Sequence, residues 1–470
     1  MTSAADPRDP ESPASATEAD SADPSSAESA ASTTSAAPSD TPATATAEPL
    51  PDTTSAAHPG TTAAGLPTPA DAAAIAGDLV ALRRALHANP EVGLDLPATQ
   101  ALVRDAIADL DVELTAGHAL SSLVAVLRGG KRTADSTGVV PAVLLRGDMD
   151  ALPITEATGF DFAATNGNMH ACGHDLHTAG LVGALRLLHD KRAELPGDVV
   201  IMFQPGEEGY DGAGWMLDEG VLDAAGPRVK AAYGIHVSAD QDLGVGSSRR
   251  GSYMAAFAKM TITVRGLGTH ASRPASGRDP IEVGAMLVGQ LQEYVPRRFD
   301  IFDPIVVTVG QFNGGTAPNV IPDFATLVVS VRTFSETVTT RAEAELPHLV
   351  SGLVAAHGLE AEVAYERILP PTINDDAEAD FFLATFADLF GADRTVTRAN
   401  PLPGSEDFSR VLAEVPGAYG HFGVALPTLP VAEREANHSP RARHSDEGLA
   451  DQALFLAHLA GRKLKQLAGE

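Results

Sequence analysis

The densest chemical signal in the chain is the run Met169-His170-Ala171-Cys172-Gly173-His174-Asp175. Three histidines (His170, His174, His177) and the only cysteine of the protein fall within positions 170–177. Cys172 and His174, two residues apart, can project into one cavity from an extended or looped backbone. Thiolate and imidazole are natural ligands for a borderline-soft divalent metal. The glycine between them permits close approach and an unusual φ. A second cluster, Phe203-Gln204-Pro205-Gly206-Glu207-Glu208-Gly209, follows an apolar run of strand type. Adjacent acids at a strand's carboxyl end can divide two tasks, one binding metal and the other moving protons. His236 is embedded in the otherwise apolar run Tyr233-Gly234-Ile235-His236-Val237, and Asn437-His438-Ser439-Pro440 adds a weaker signal late in the chain. Two carboxylates, three imidazoles and a thiolate suffice to hold two metals that activate a water and polarise a carbonyl. A nearby carboxylate can then serve as general base.

The elements expected to position these groups form an α/β chain with an inserted module. A helix opens near Asp71 with Ile75, Leu79, Leu82 and Leu86 at helical spacing. Apolar runs at Ser122–Leu127, Ala142–Leu145, Val199–Phe203 and Ala231–Val237, with the helical stretch Thr178–His189 between them, predict a mostly parallel sheet with helices on both faces. From Ser248 to Leu369 the rhythm changes. Ala256–Val264 alternates as a strand, Asp279–Arg297 is helical, Ile305–Phe312 and Phe324–Val331 are strands, Ser335–His357 is helical and Glu360–Tyr365 is a last strand. The order β-α-β-β-α-β is that of a ferredoxin-like unit. The expected division is a tail at 1–70, a catalytic domain at 71–247 and 370–470, and an inserted module at 248–369. A helix from Glu447 to about Leu467 closes the chain.

Composition narrows the function classes. Residues 1–70 are almost all Ala, Ser, Thr, Pro, Asp and Glu, with ten acids and one base, and are expected to be disordered. They carry neither the basic start nor the apolar run of a signal peptide. With 33 basic against 62 acidic residues the net charge is −29, which disfavours nucleic acid and anionic membranes as partners. A lone cysteine excludes an internal disulfide, and no apolar run is long enough to span a bilayer. A cytoplasmic enzyme acting on a small molecule is the expectation.

Six motifs occur in order: Asp148-Met149-Asp150-Ala151-Leu152-Pro153, His170 to Asp175, Gly206-Glu207-Glu208-Gly209, Gly268-Thr269-His270-Ala271-Ser272, Gly315-Thr316-Ala317-Pro318-Asn319-Val320-Ile321-Pro322 and Gly404-Ser405-Glu406-Asp407-Phe408. Together they resemble the metal-dependent amidohydrolases that split hippurate, N-acetyl amino acids and indole-acetyl amino acids, relatives of aminoacylase and carboxypeptidase G. The resemblance spans about Leu79 to Leu464. It implies hydrolysis of N-acyl or N-aroyl amino acids at a site of two divalent metals, with zinc, manganese, nickel and cobalt all open. It implies Cys172 (bridging), His174, Glu208, His236 and His438 as ligands and Glu207 as general base. His270 would reach a neighbouring subunit's site to stabilise the oxyanion, in a homodimer formed through the inserted lid. Asn319 and Arg332 would bind substrate, with Arg332 on its carboxylate. Asp150 and Asp175 would orient ligands. After His438 the family continues with an aromatic and an Asp-Glu pair. Here Ala442 and His444 intervene before Asp446-Glu447, which makes His444 a rival ligand. His87-Ala88-Asn89-Pro90-Glu91 is read as structural. A dipeptidase or a deacetylase of a biosynthetic intermediate is the alternative on the same scaffold. A non-catalytic binding protein is disfavoured because base and ligands are all present.

Overall fold

A computed structural model describes residues 65–135 and 137–470. Most of the expected disordered tail lies outside the described residues. Its assigned end at residue 70 is too late. Leu66 is buried, and the first helix is Pro69–Ala88. Thr68 caps that helix: its hydroxyl accepts from Asp71 N while the Asp71 carboxylate accepts from Thr68 N at 2.7 Å.

The main sheet has eight strands in the spatial order Glu113–Ala116, Leu123–Leu127, Asp198–Gln204, Ala142–Asp148, Ala231–Ser238, Gly417–Gly423, Gly246–Ser248, Thr395–Thr397. The four central strands, from Asp198–Gln204 to Gly417–Gly423, run parallel. Antiparallel pairs flank them. Successive residues feed opposite faces. Val143 and Leu145 join a core under helices Pro69–Ala88, His174–Asp190 and Leu449–Leu467, whereas Ala142 and Leu144 join Met216, Phe408 and Tyr419 on the other side.

Strand Gly417–Gly423 lies in the middle of this sheet, although three glycines in seven residues do not read as a strand. Those glycines are steric necessities. A Cβ at Gly417 would sit 2.1 Å from Ala232 O, and one at Gly423 would sit 2.0 Å from Asp242 O.

A second sheet is wholly antiparallel, in the order Ile305–Gly314, Phe324–Thr333, Ala256–Arg265, Glu360–Leu369. Its alternate residues Met260, Ile262, Leu327 and Val329 form a separate core with helices Pro280–Arg298 and Glu336–Ala356. These helices cover one face. Phe257, Lys259 and Arg332 lie on the other, with Phe257 and Arg332 paired across neighbouring strands. The chain leaves and re-enters the main body side by side, where Gly251–Met254 pairs with Thr372–Asn374. Among the described residues no helix is long and apolar enough to cross a membrane.

Candidate metal centre

The candidate ligands gather at the carboxyl ends of the parallel strands, the usual place for a ligand in such a sheet. Gly173, at φ 87°, turns the chain sharply before the helix His174–Asp190, and a Cβ there would strike Val237 Cγ2 at 2.3 Å. Cys172 Sγ consequently stands 3.2 Å from His236 Nε2 and 3.2 Å from His438 Nε2. His438 Nε2 is also 3.2 Å from Glu208 Oε1. The sulfur belongs to two groups whose ligand atoms lie within 4.8 Å of one another: Cys172 with His174 and His236, and Cys172 with Glu208 and His438. His174, Glu207 and Glu208 form a third.

The ring orientations favour metal binding. His236 Nδ1 donates to Val237 O at 2.7 Å and His174 Nδ1 to Asp150 O at 2.9 Å, so each presents Nε2 to the cluster. Among the described residues His174 Nε2 is buried without a hydrogen bond, as an unfilled ligand atom would be. The soft sulfur, three imidazoles and a carboxylate fit divalent transition metals. Hydrogen bonds to Cys172 and Glu208 push His438 up to about 10.

A second layer holds these groups. Asp150 accepts from Glu207 N and Glu208 N, both at 3.0 Å, and so fixes the acidic loop. Val237 N donates to His177 Nε2, which leaves the Nδ1 proton of His177 for Asp148 at 2.5 Å. Burial would raise the Asp148 carboxyl, but Arg146, His174 and His177 hold it well below the usual range. Arg146 is itself fully buried. It donates to Asp148 at 2.6 Å, Glu406 at 2.7 Å, Gln204 at 2.8 Å and Asp407 at 2.9 Å, tying the ends of two neighbouring strands to the segment carrying Glu406 and Asp407. Glu207 lies above this cluster. Burial, reinforced by Glu406, Asp407 and Glu208, pushes its carboxyl well above the ordinary value.

The expected site residues do not all converge. Cys172, Glu207, Glu208, His236, Arg332 and His438 line one cavity of about 970 Å³. His270 and Asn319 lie elsewhere, together on an exposed edge of the second sheet module, where Ala271 N donates to Asn319 O at 2.9 Å. Asp175 does not orient a ligand. Its carboxylate turns away to Arg83 Nε at 2.8 Å and His87 Nδ1 at 2.7 Å. His444 is not with the cluster either. It is buried with both ring nitrogens unpartnered among the described residues, and His438 stands beside Cys172 instead. Glu91 of the His87 motif accepts from Thr99 N at 2.8 Å at the start of helix Pro97–Ala106, a structural contact.

Asp148, His177, Arg146, Glu406 and Asp407 were not singled out as functional residues. Asp148 opens one of the six motifs, Glu406 and Asp407 lie within another, and His177 lies one helical turn after His174, so all four left a trace in the sequence. Arg146 left none, since only the fold reveals its three acidic partners.

Residues 144–462 match the peptidase family M20/M25/M40. The chain is 35% identical over 397 residues to the IAA-amino acid hydrolase ILR1-like 2 of Arabidopsis thaliana, covering 83% of this chain and 86% of that one. It is 33% identical over 346 residues to the N-acetyl-L-cysteine deacetylase of Bacillus subtilis, covering 73% and 80%. Among solved structures it is similar to the Bacillus subtilis YXEP protein, described as a dinuclear metal binding peptidase. That match has TM-score 0.71 and 30% identity, covering 84% of this chain and 99% of that chain.

Proposed function

The chain belongs to the peptidase family M20/M25/M40, and on that premise we propose that it hydrolyses the amide bond of N-acyl or N-aroyl amino acids, releasing a carboxylic acid and an amino acid. It is a metal-dependent amidohydrolase. The observation that carries the finer reading is Cys172, shared by two ligand groups beside the buried Glu207 and in one cavity with Arg332. Relatives named for indole-acetyl and N-acetyl amino acid substrates support it.

Cys172, His174, Glu208, His236 and His438 would hold two divalent ions. Such ions, when bound, supply Lewis acidity toward the carbonyl and make water a nucleophile near neutral pH. Glu207 takes the proton of the attacking water and returns it to the leaving amine nitrogen, a task suited to a carboxyl whose pKa is raised. Arg332 can bind the substrate carboxylate, because among the described residues its only hydrogen bond is to Pro403 O and no acid pairs with it.

The module at residues 248–369 serves, in this reading, as a ferredoxin-like lid through which two chains pair. Support comes from its outer strand Ile305–Gly314, largely exposed beyond Val309, and from Phe312, Val320 and Phe324 at 38%, 46% and 55% exposure. Pairing would bring His270 and Asn319 to the partner's cavity, where His270 donates to the developing oxyanion. A turnover screen of acetyl-, benzoyl- and indole-acetyl-amino acids, alongside dipeptides, tests the substrate class. Cleavage of at least one N-acyl series in preference to dipeptides is expected, and cleavage of dipeptides alone would replace this reading with a dipeptidase.

A further inference from the structure

One group facing the cavity has no part in the chemistry above. His421 is the only residue of strand Gly417–Gly423 that is not buried, and it lines the same cavity as Cys172 and Glu207. It pairs directly with His236 in the parallel ladder, and the two rings stack with centroids 5.2 Å apart and planes 22° apart. Its orientation is fixed from behind. The hydroxyl of the fully buried Tyr253 lies 2.6 Å from His421 Nδ1, while its other acceptor, Ser247 O, is 3.4 Å away. The much shorter contact directs the phenol proton to Nδ1. A ring whose Nδ1 accepts carries its own proton on Nε2. That edge has no protein partner among the described residues. The lining of this cavity includes the apolar side chains of Met254, Leu369 and Leu402.

We propose that His421 is a specificity-determining residue whose Nε2–H donates a hydrogen bond to an acceptor on the acyl half of the substrate. It would select acyl groups that are mostly hydrocarbon but carry one acceptor atom. The inference rests on the N-acyl amino acid reading of the site. The half of the substrate follows from position. His421 stacks on a metal-ligand candidate in the main sheet, whereas Arg332 lines the same cavity from the second sheet. A substrate with its scissile carbonyl at the metals and its carboxylate at Arg332 extends its acyl group the other way.

The test measures binding without turnover, by calorimetry on the full-length Glu207→Gln protein loaded with zinc. The ligands are N-pentanoyl-alanine and its ethoxyacetyl and 3-methoxypropanoyl analogues, in which one methylene becomes an ether oxygen. At least one ether should bind roughly tenfold more tightly than the hydrocarbon, the worth of one hydrogen bond. Adding His421→Phe, which keeps a stacked ring, should bring the ratio to about one. His421→Gln, which keeps an N–H near the Nε2 position, should recover part of it. An ether preference unchanged by His421→Phe, or equal binding of all three ligands to the parent, overturns the role of His421 and leaves the N-acyl reading standing. Failure of all three to bind overturns both.

Discussion

Two buried histidines behind the metal cluster make acid stability a quantitative test of the packing. His170 and His444 are each 1% exposed, neither has a hydrogen bond at either ring nitrogen among the described residues, and burial pushes both down to about 3. Above about pH 7 they are neutral in both the folded and the unfolded chain, so they do not affect stability there. Below about 6.5 the unfolded chain binds a proton at each, and the folded chain refuses it until about pH 3. Stability is therefore lost as the pH falls through that window. Between about pH 6 and pH 5 each histidine removes roughly 1.2 kcal/mol. His444→Phe will change the absolute stability through packing, but that offset does not vary with pH. The difference between pH 6 and pH 5 should shrink by about 1.2 kcal/mol relative to the parent. Urea unfolding in the presence of a chelator reads this difference without interference from metal ligation. An undiminished pH dependence in His444→Phe would show that the ring is already charged or solvated in the folded protein.

Two further outcomes follow from the site. Glu207→Gln should retain its metal, by elemental analysis, yet lose about 10²–10⁴-fold in turnover. Near-normal rates would remove Glu207 from the role of base. His270→Ala and Glu207→Gln should each be inactive alone. Mixed so that subunits exchange, they should regain activity, since a hybrid dimer can assemble one site with both groups intact. No recovery after exchange has been demonstrated would place His270 outside catalysis across subunits.

Where the sequence was legible, local patterning and tertiary outcome agreed. The run Ala142–Leu145 is apolar on both faces because helices cover both sides of its strand, and Asp279 and Ser335 cap the two module helices. Cys172 and His174 could be paired from spacing alone, since Gly173 supplies the turn that aims both side chains inward. What stayed hidden depends on contacts distant in sequence. Glycines that admit Ala232 O and Asp242 O disguise the strand Gly417–Gly423, and with it His421. Asp175 adjoins a ligand in sequence yet faces Arg83 and His87, because the side chain next to His174 on a helix points elsewhere. The choice between His438 and His444 required the loop path, in which His438, at φ 70°, turns back to donate its N–H to Ala171 O.

Metal stoichiometry of the purified protein and of Cys172→Ala addresses the shared sulfur most directly. The parent should carry about two divalent ions per chain after reconstitution. Cys172→Ala should carry fewer than one, because both ligand groups containing the sulfur lose it together. A Cys172→Ala protein that still holds two ions would show that the thiolate is a bystander and that the metals are held elsewhere.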